Sequence, residues 1–115
     1  MIKRKDSYPV EIKERMRGGE GAVKIESLLT PAELYEKGRL FAKLTIEPGC
    51  SAGYHVHEGE MESYFVISGK AEYQYNDEKV VLLPGDTTLT QSGEGHAVRN
   101  IGDTPLEIIA LILFE

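Results

Sequence analysis

The feature that most restricts the fold of this chain is a hydrophobic period of two, broken again and again by turn residues. Leu40, Ala42, Leu44 and Ile46 alternate with Phe41, Lys43 and Thr45 until Pro48-Gly49 stops the run. Ala71, Tyr73 and Tyr75 alternate with Glu72 and Gln74 up to the Asn76-Asp77-Glu78 turn. Successive side chains of a strand point to opposite faces, so this period marks strands half covered by a core; a helix would repeat every 3.6 residues. Further strands are expected at Val23–Leu29, Tyr54–His57, Glu62–Ile67, Lys79–Leu83, Thr87–Thr90, His96–Ile101 and Leu106–Phe114. Short strands at this density, with turn signals between them, predict an all-β sandwich or barrel.

Two segments depart from that rhythm. Residues 1–22 are polar and end in Met16-Arg17-Gly18-Gly19-Glu20-Gly21, a stretch able to turn sharply; we read it as an N-terminal arm ahead of a barrel domain spanning 23–115. A phosphate-cradling loop is not expected there, because no Gly-Lys-Ser/Thr follows. Thr30-Pro31-Ala32-Glu33 combines a capping hydroxyl, a proline at the first helical position and a glutamate three residues after the threonine, which predicts one short helix ending at Gly38.

At 115 residues the chain makes one domain with a modest core, and 41% hydrophobic against 28% charged residues excludes a disordered chain. Thirteen basic and nineteen acidic residues give a net charge of −6, a field that repels phosphate backbones; neither nucleic acid nor a membrane surface is expected as a partner. The longest apolar run, Ile108 to Phe114, is too short to span a bilayer as a helix. With no apolar stretch behind Lys3-Arg4-Lys5 and a single cysteine, Cys50, the expected location is cytoplasmic. Phe65-Val66-Ile67, Val80 to Leu83 and Ile108 to Phe114 are apolar on both faces, which predicts that an outer face is covered by a second subunit, a homodimer.

All three histidines belong to one pattern. His55 and His57, two apart on a strand, project from the same face. Glu62 follows past the Glu58-Gly59-Glu60 turn, where a hairpin brings it beside the pair, and His96 opens a strand after a glycine loop. Three imidazoles and a carboxylate suit Mn, Fe, Co, Ni, Cu or Zn rather than Ca or Mg. Taken singly, each of these residues reads as a hydrogen-bonded or solvated side chain. Glu58 and Glu60 read as solvated turn residues, with an acid/base or supporting role at a site mouth as the alternative. Cys50 has no free base nearby and reads as inert.

The spacing is what joins them. Gly49 to Gly69, GCSAGYHVHEGEMESYFVISG, reads G-x5-H-x-H-x4-E-x6-G, and Gly85 to Asn100, GDTTLTQSGEGHAVRN, reads G-x5-Q-x-G-x2-H-x3-N. These segments resemble the two signature motifs of the cupin superfamily, with one departure: Gln91 stands where the family usually has proline. The resemblance implies a double-stranded β-helix, the jelly-roll cupin barrel. It also implies that His55, His57, Glu62 and His96 hold one divalent metal ion (Mn, Fe, Ni or Zn), with two positions open in an octahedral site. Tyr64 shares parity with Glu62, and Tyr73 shares a face with Ala71 and Tyr75 whose direction the sequence leaves open; either can offer a phenol to a ligand. Asn100 shares parity with His96 and faces either the ligand or a turn. Arg17, in the glycine-rich arm, is a further candidate: an arm crossing to a partner subunit could aim its guanidinium at a substrate carboxylate.

Two functional classes follow from the resemblance. In one, this is a metal-dependent enzyme on a small carboxylate or sugar-acid metabolite, decarboxylase-like, isomerase/lyase or dioxygenase. In the other, it is a non-catalytic cupin that binds or senses such a ligand.

Overall fold

Ten antiparallel strands make two facing sheets in the computed structural model, which describes residues 1–115: β1 (Val10–Glu14), β2 (Ala22–Leu29), β3 (Gly38–Ile46), β4 (Ser51–Val56), β5 (Glu60–Ser68), β6 (Ala71–Tyr75), β7 (Glu78–Leu82), β8 (Thr87–Thr90), β9 (Gly95–Asn100) and β10 (Leu106–Phe114). The larger sheet runs β1-β2-β3-β10-β5-β8 and the smaller β4-β9-β6-β7, the crossing-over jelly roll expected of the motifs. No helix is long and apolar enough to cross a membrane.

The core follows directly from the period of two. β10 lies between β3 and β5, with Ile108 opposite both Leu44 and Val66. The inward residues Ala42, Leu44, Ile46, Val66, Leu106, Ile108, Ala110 and Ile112 are buried. Ala52, Ala71, Tyr73, Leu82 and Val98 meet them from the smaller sheet. The outward side chains Phe65, Ile67 and Leu89 stay 46%, 43% and 46% exposed, an unusual cost for large apolar groups on adjacent strands.

The structure corrects the expected helix. Residues 31–36 form consecutive turns, not a helix. The capping box itself forms, with the Glu33 N–H donating to Thr30 Oγ1 (3.2 Å) and the Thr30 N–H to Glu33 Oε1 (2.9 Å). Tyr35 and Glu36 then adopt left-handed φ of 55° and 57°, and the chain reverses. The reason is topological: β2 pairs with β3, so the connection must return to its starting edge within a few residues, and so short a segment lacks the turns to stabilise a helix.

The arm also holds more structure than its polarity suggested. Val10–Glu14 form β1, paired with β2 from Val10↔Glu26 to Glu14↔Ala22, followed by a single 3-10 turn, Met16–Gly18. The turn lies against β4. A Cβ on Gly19 would meet Ser51 O at 2.2 Å, and one on Gly53 would meet Arg17 O at 2.1 Å, so the two backbones touch where only glycine fits.

Candidate metal centre

Two of the candidate donors lie on strands of the smaller sheet, a third directly follows one of those strands, and the fourth lies on the larger sheet. His55 on β4 pairs across the strands with His96 on β9. His57 follows β4, its N–H donating to Glu94 O (3.1 Å) and its carbonyl accepting from Gly93 N–H (2.6 Å). Tyr54 and Val56, between them in parity, point outward. Glu62 reaches in from β5. Because the strands alternate, His55 and His57 share one face without any distortion of the backbone.

The donor atoms converge. His96 Nε2 lies 3.1 Å from His55 Nε2, 3.1 Å from His57 Nε2 and 2.9 Å from Glu62 Oε1. His57 Nε2 is 3.0 Å from the same Glu62 oxygen. All four donors lie within 4.8 Å of one another, and His57, Glu62 and His96 are buried.

The outer ring nitrogens explain which way these imidazoles face. His55 Nδ1–H donates to Gly53 O (2.8 Å), and His57 Nδ1–H donates to Glu60 Oε2 (2.7 Å). His96 Nδ1 meets Tyr73 Oη at 2.7 Å, and that hydroxyl lies 2.8 Å from Thr90 Oγ1. With Nδ1 donating outward, a neutral imidazole presents a bare lone pair at Nε2. Three such lone pairs and a carboxylate oxygen at 2.9–3.1 Å repel one another unless a proton or a cation stands among them. Neighbouring donors of an octahedral ion with bonds of about 2.1 Å are about 3 Å apart. The residues therefore fit a mid-row divalent metal, by donor chemistry, by spacing and by the hydrogen bonds that orient each ring.

The electrostatics agree. Burial pushes the Glu62 carboxyl up, but hydrogen bonds from His57 and His96 override it and hold the group at about 2, so it stays ionised. Burial holds His55 down to about 4, so its ring stays neutral. The hydrogen bond with Glu62, joined by that with Glu60, raises His57 above an ordinary imidazole. Burial, with the Glu62 charge beside it, pushes Tyr64 well above the ordinary tyrosine range, and burial raises Tyr73 too; both remain neutral phenols.

A cavity of about 540 Å³ opens onto the donors. Its wall includes His55, His57, Glu62 and Tyr64, together with Ala52, Leu40 and Ile112. Tyr64 stacks on His96, ring centres 5.1 Å apart. Tyr73 stands behind His96 instead of at the cavity wall, its hydroxyl engaged by His96 and Thr90. Asn100 lies away from the cavity: its amide donates to Ile46 O and Thr104 O (both 2.8 Å), and its carbonyl accepts from Gly102 N–H (2.8 Å), which closes the loop before β10.

Glu60 differs from its sequence reading. It is not a solvated turn residue. Arg39 Nε and Nη2 donate to its two oxygens at 2.8 and 2.7 Å, and Oε2 also accepts from His57. Arg39, 21 residues away on β3, carries no local signal for this role. The arrangement fixes the His57 ring, so Glu60→Gln is expected to weaken metal binding about tenfold while leaving the stoichiometry at one, read by competition with a chromophoric chelator.

The family model described as Cupin domain matches residues 42–112. An oxalate-binding protein of Thermotoga maritima is 39% identical over 98% of this chain and 93% of its own length. A crystal structure from Thermotoga maritima, described as a predicted oxalate decarboxylase, superposes with a TM-score of 0.96 at 38% identity and covers 100% of both chains. The cupin domain of Schizosaccharomyces pombe Cnp3 aligns with a TM-score of 0.74 over 92% of this chain and 69% of that one; at 14% identity it speaks to the fold alone.

Proposed function

This chain belongs to the cupin family, and from that premise we propose that its barrel holds one divalent transition metal at His55, His57, Glu62 and His96 and acts there on a small carboxylate. The observation that carries the reading is the convergence of three Nε2 atoms and one carboxylate oxygen at 2.9–3.1 Å at the floor of an open cavity. A divalent ion so held supplies Lewis acidity and open positions for carboxylate oxygens. The chain's own part is to orient and exclude. Gly53 O, Glu60 and Tyr73 hold the three rings, Leu40, Ala52 and Ile112 keep part of the wall apolar, and Tyr64, a neutral phenol beside Glu62, stands where it can donate to a ligand oxygen. Asn100 supports the barrel end and not the ligand. The relatives' descriptions, oxalate-binding and predicted oxalate decarboxylase, support a small acid as the ligand class.

Binding without turnover is the second reading, and one observation favours it. The polar groups that touch the rings' outer nitrogens are committed within the protein: Glu60 to Arg39 and His57, and Tyr73 to Thr90 and His96. Neither group is therefore free to act as an acid or base on a ligand, which leaves only the high-pKa phenol of Tyr64 beside the donors. The experiment is a panel of oxalate, keto acids and uronates against protein loaded in turn with Mn, Fe, Ni and Zn, followed by product formation and by melting temperature. Turnover with one metal supports the enzyme; a ligand-dependent melting shift without product supports the binder; neither response to any acid contradicts both.

The outer face of the larger sheet, with Phe65, Ile67 and Leu89 exposed, supports a homodimer in this reading. Light scattering is expected to give twice the chain mass; a monomer at working concentration contradicts it. A lone thiol, Cys50, suits a reducing cytoplasm.

A further inference from the structure

We infer that Arg15 and Arg17, in the turn between β1 and β2, form an outer anion subsite of the metal cavity, so that the ligand is a small acid carrying a second anionic group more than one bond away from the carboxylate at the donors. This rests on the carboxylate reading above and specifies its ligand.

Four observations lead there. Both arginines line the cavity that contains His55, His57 and Glu62, although 38 or more residues separate them from those donors in sequence. Neither guanidinium forms an ion pair or a hydrogen bond within the chain, whereas Arg39, also at the wall, is fully engaged by Glu60. Among the exposed residues of that wall the unpaired cations Lys13, Arg15 and Arg17 outnumber Glu11 and Glu14, while the third carboxylate, Glu62, lies buried among the donors, on a molecule whose net charge is −6. An anion drawn to this chain therefore meets favourable potential at this rim in particular.

The backbone is the third observation. Arg15 and Arg17 adopt φ of 50° and 53°, the left-handed region that glycine occupies at no steric cost. Non-glycine residues persist there where the surroundings fix them, and such positions cluster at ligand clamps. Here the surroundings do fix them. Arg15 N–H donates to Gly21 O (2.7 Å), Gly18 N–H to Arg15 O (2.9 Å) and Ser51 N–H to Glu20 O (2.9 Å). Glu20 N–H donates to Ser51 Oγ at 2.9 Å. The close approach of Gly19 and Gly53 seats the turn on β4, the strand that carries His55. The two side chains are thus presented from a pre-organised loop, which lowers the entropy lost when a ligand is clamped.

Size is the fourth. A volume of about 540 Å³ equals roughly 18 waters at about 30 Å³ each. Oxalate, six non-hydrogen atoms with its carboxylates directly bonded, occupies the donor end of such a space and leaves the rim empty. An acid with its charges separated by several bonds spans from donors to guanidiniums, where planar forks match carboxylate geometry.

The test uses the full chain loaded with Zn(II) and titration calorimetry with matched pairs: succinate against butyrate and glutarate against valerate, with oxalate and acetate as short controls. The wild type is expected to bind the longer diacids at least tenfold more tightly than the matched monoacids. Arg15→Gly with Arg17→Gly, which suits the left-handed backbone and so preserves the turn, is expected to erase that preference while leaving zinc stoichiometry and butyrate affinity unchanged. Arg15→Lys with Arg17→Lys is expected to restore part of it. A charge-matched control away from the cavity, Lys37→Gln with Lys70→Gln, is expected to change nothing. A glycine variant that keeps the wild-type diacid preference, or a wild type with no such preference, overturns the subsite and leaves the metal-carboxylate reading intact. If zinc-loaded wild type binds none of the acids, mono or di, that reading falls and takes the subsite with it.

Discussion

Replacing His96 by alanine is expected to abolish metal retention while leaving the β-sheet signal in place. His96 is the central donor: its Nε2 stands within 3.1 Å of both other imidazole nitrogens and 2.9 Å from Glu62. Removing it takes away one bond and also unseats the hydrogen-bonded Tyr73–Thr90 pair behind the ring. Loss of an outer orienting partner typically weakens a metal about 10–100-fold, so loss of the donor itself should exceed about 100-fold. The second consequence is thermal. The donors join the two sheets, His55 and His96 on one with His57 just beyond its β4 and Glu62 on the other, so a bound ion fastens the sandwich together. At a free metal concentration of about 100 Kd the wild type gains about 2.7 kcal/mol, or about 10 °C in melting temperature for a domain of this size. The variant should gain almost nothing. Equilibrium dialysis with elemental analysis, together with melting curves with and without metal, reads both effects; undiminished stoichiometry in the variant contradicts the ligand assignment.

Acidification is expected to release the metal, and the groups responsible can be named. Metal binding requires neutral imidazole, so each proton that must be displaced lowers affinity as pH falls. His57 competes first, because its bond to Glu62 raises it above the ordinary 6.5. Affinity should drop about tenfold per pH unit once His57 protonates. His55, held at about 4 by burial, adds no competition until pH approaches that value. Glu62, held at about 2, remains a ligand throughout. In metal-free protein the signs differ. A raised His57 contributes stability that is complete below its unfolded value and is lost as pH rises through the folded one. A depressed Glu62 contributes stability present above 4.5 and lost as pH falls toward about 2. The metal-dependent gain in melting temperature should therefore grow from pH 5.5 to pH 8; a gain independent of pH across that range contradicts the account.

The strand pattern was legible because burial imposes it locally. Thr87–Thr90 and Leu106–Phe114 form with the expected bounds, and β2, β3 and β5 to β7 lie within a few residues of theirs. β4 begins at Ser51, three residues earlier than expected, since backbone bonds to Glu20 and a register shift before His55 recruit residues with no alternation of their own. β1 was hidden because all five of its residues are exposed, so no buried face writes a periodicity strong enough to notice. The short helix failed for the opposite reason: its capping signal is real, but the return from β2 to β3 overrides propensity. At the site, the four donors were legible from spacing because one cation demands fixed residue types at fixed offsets. Arg39, Gly53 and Thr90 were not. They act through contacts that only the folded barrel creates, and Glu60, three residues from His57, looked like any turn carboxylate.

The central claim is that one cation sits among four side chains drawn from both sheets. Anomalous scattering from crystals grown with Zn(II) or Mn(II) tests it most directly. The account predicts a single strong peak about 2.1 Å from the three Nε2 atoms and from a Glu62 oxygen. A peak elsewhere, or one that any of the three imidazoles leaves uncoordinated, contradicts it.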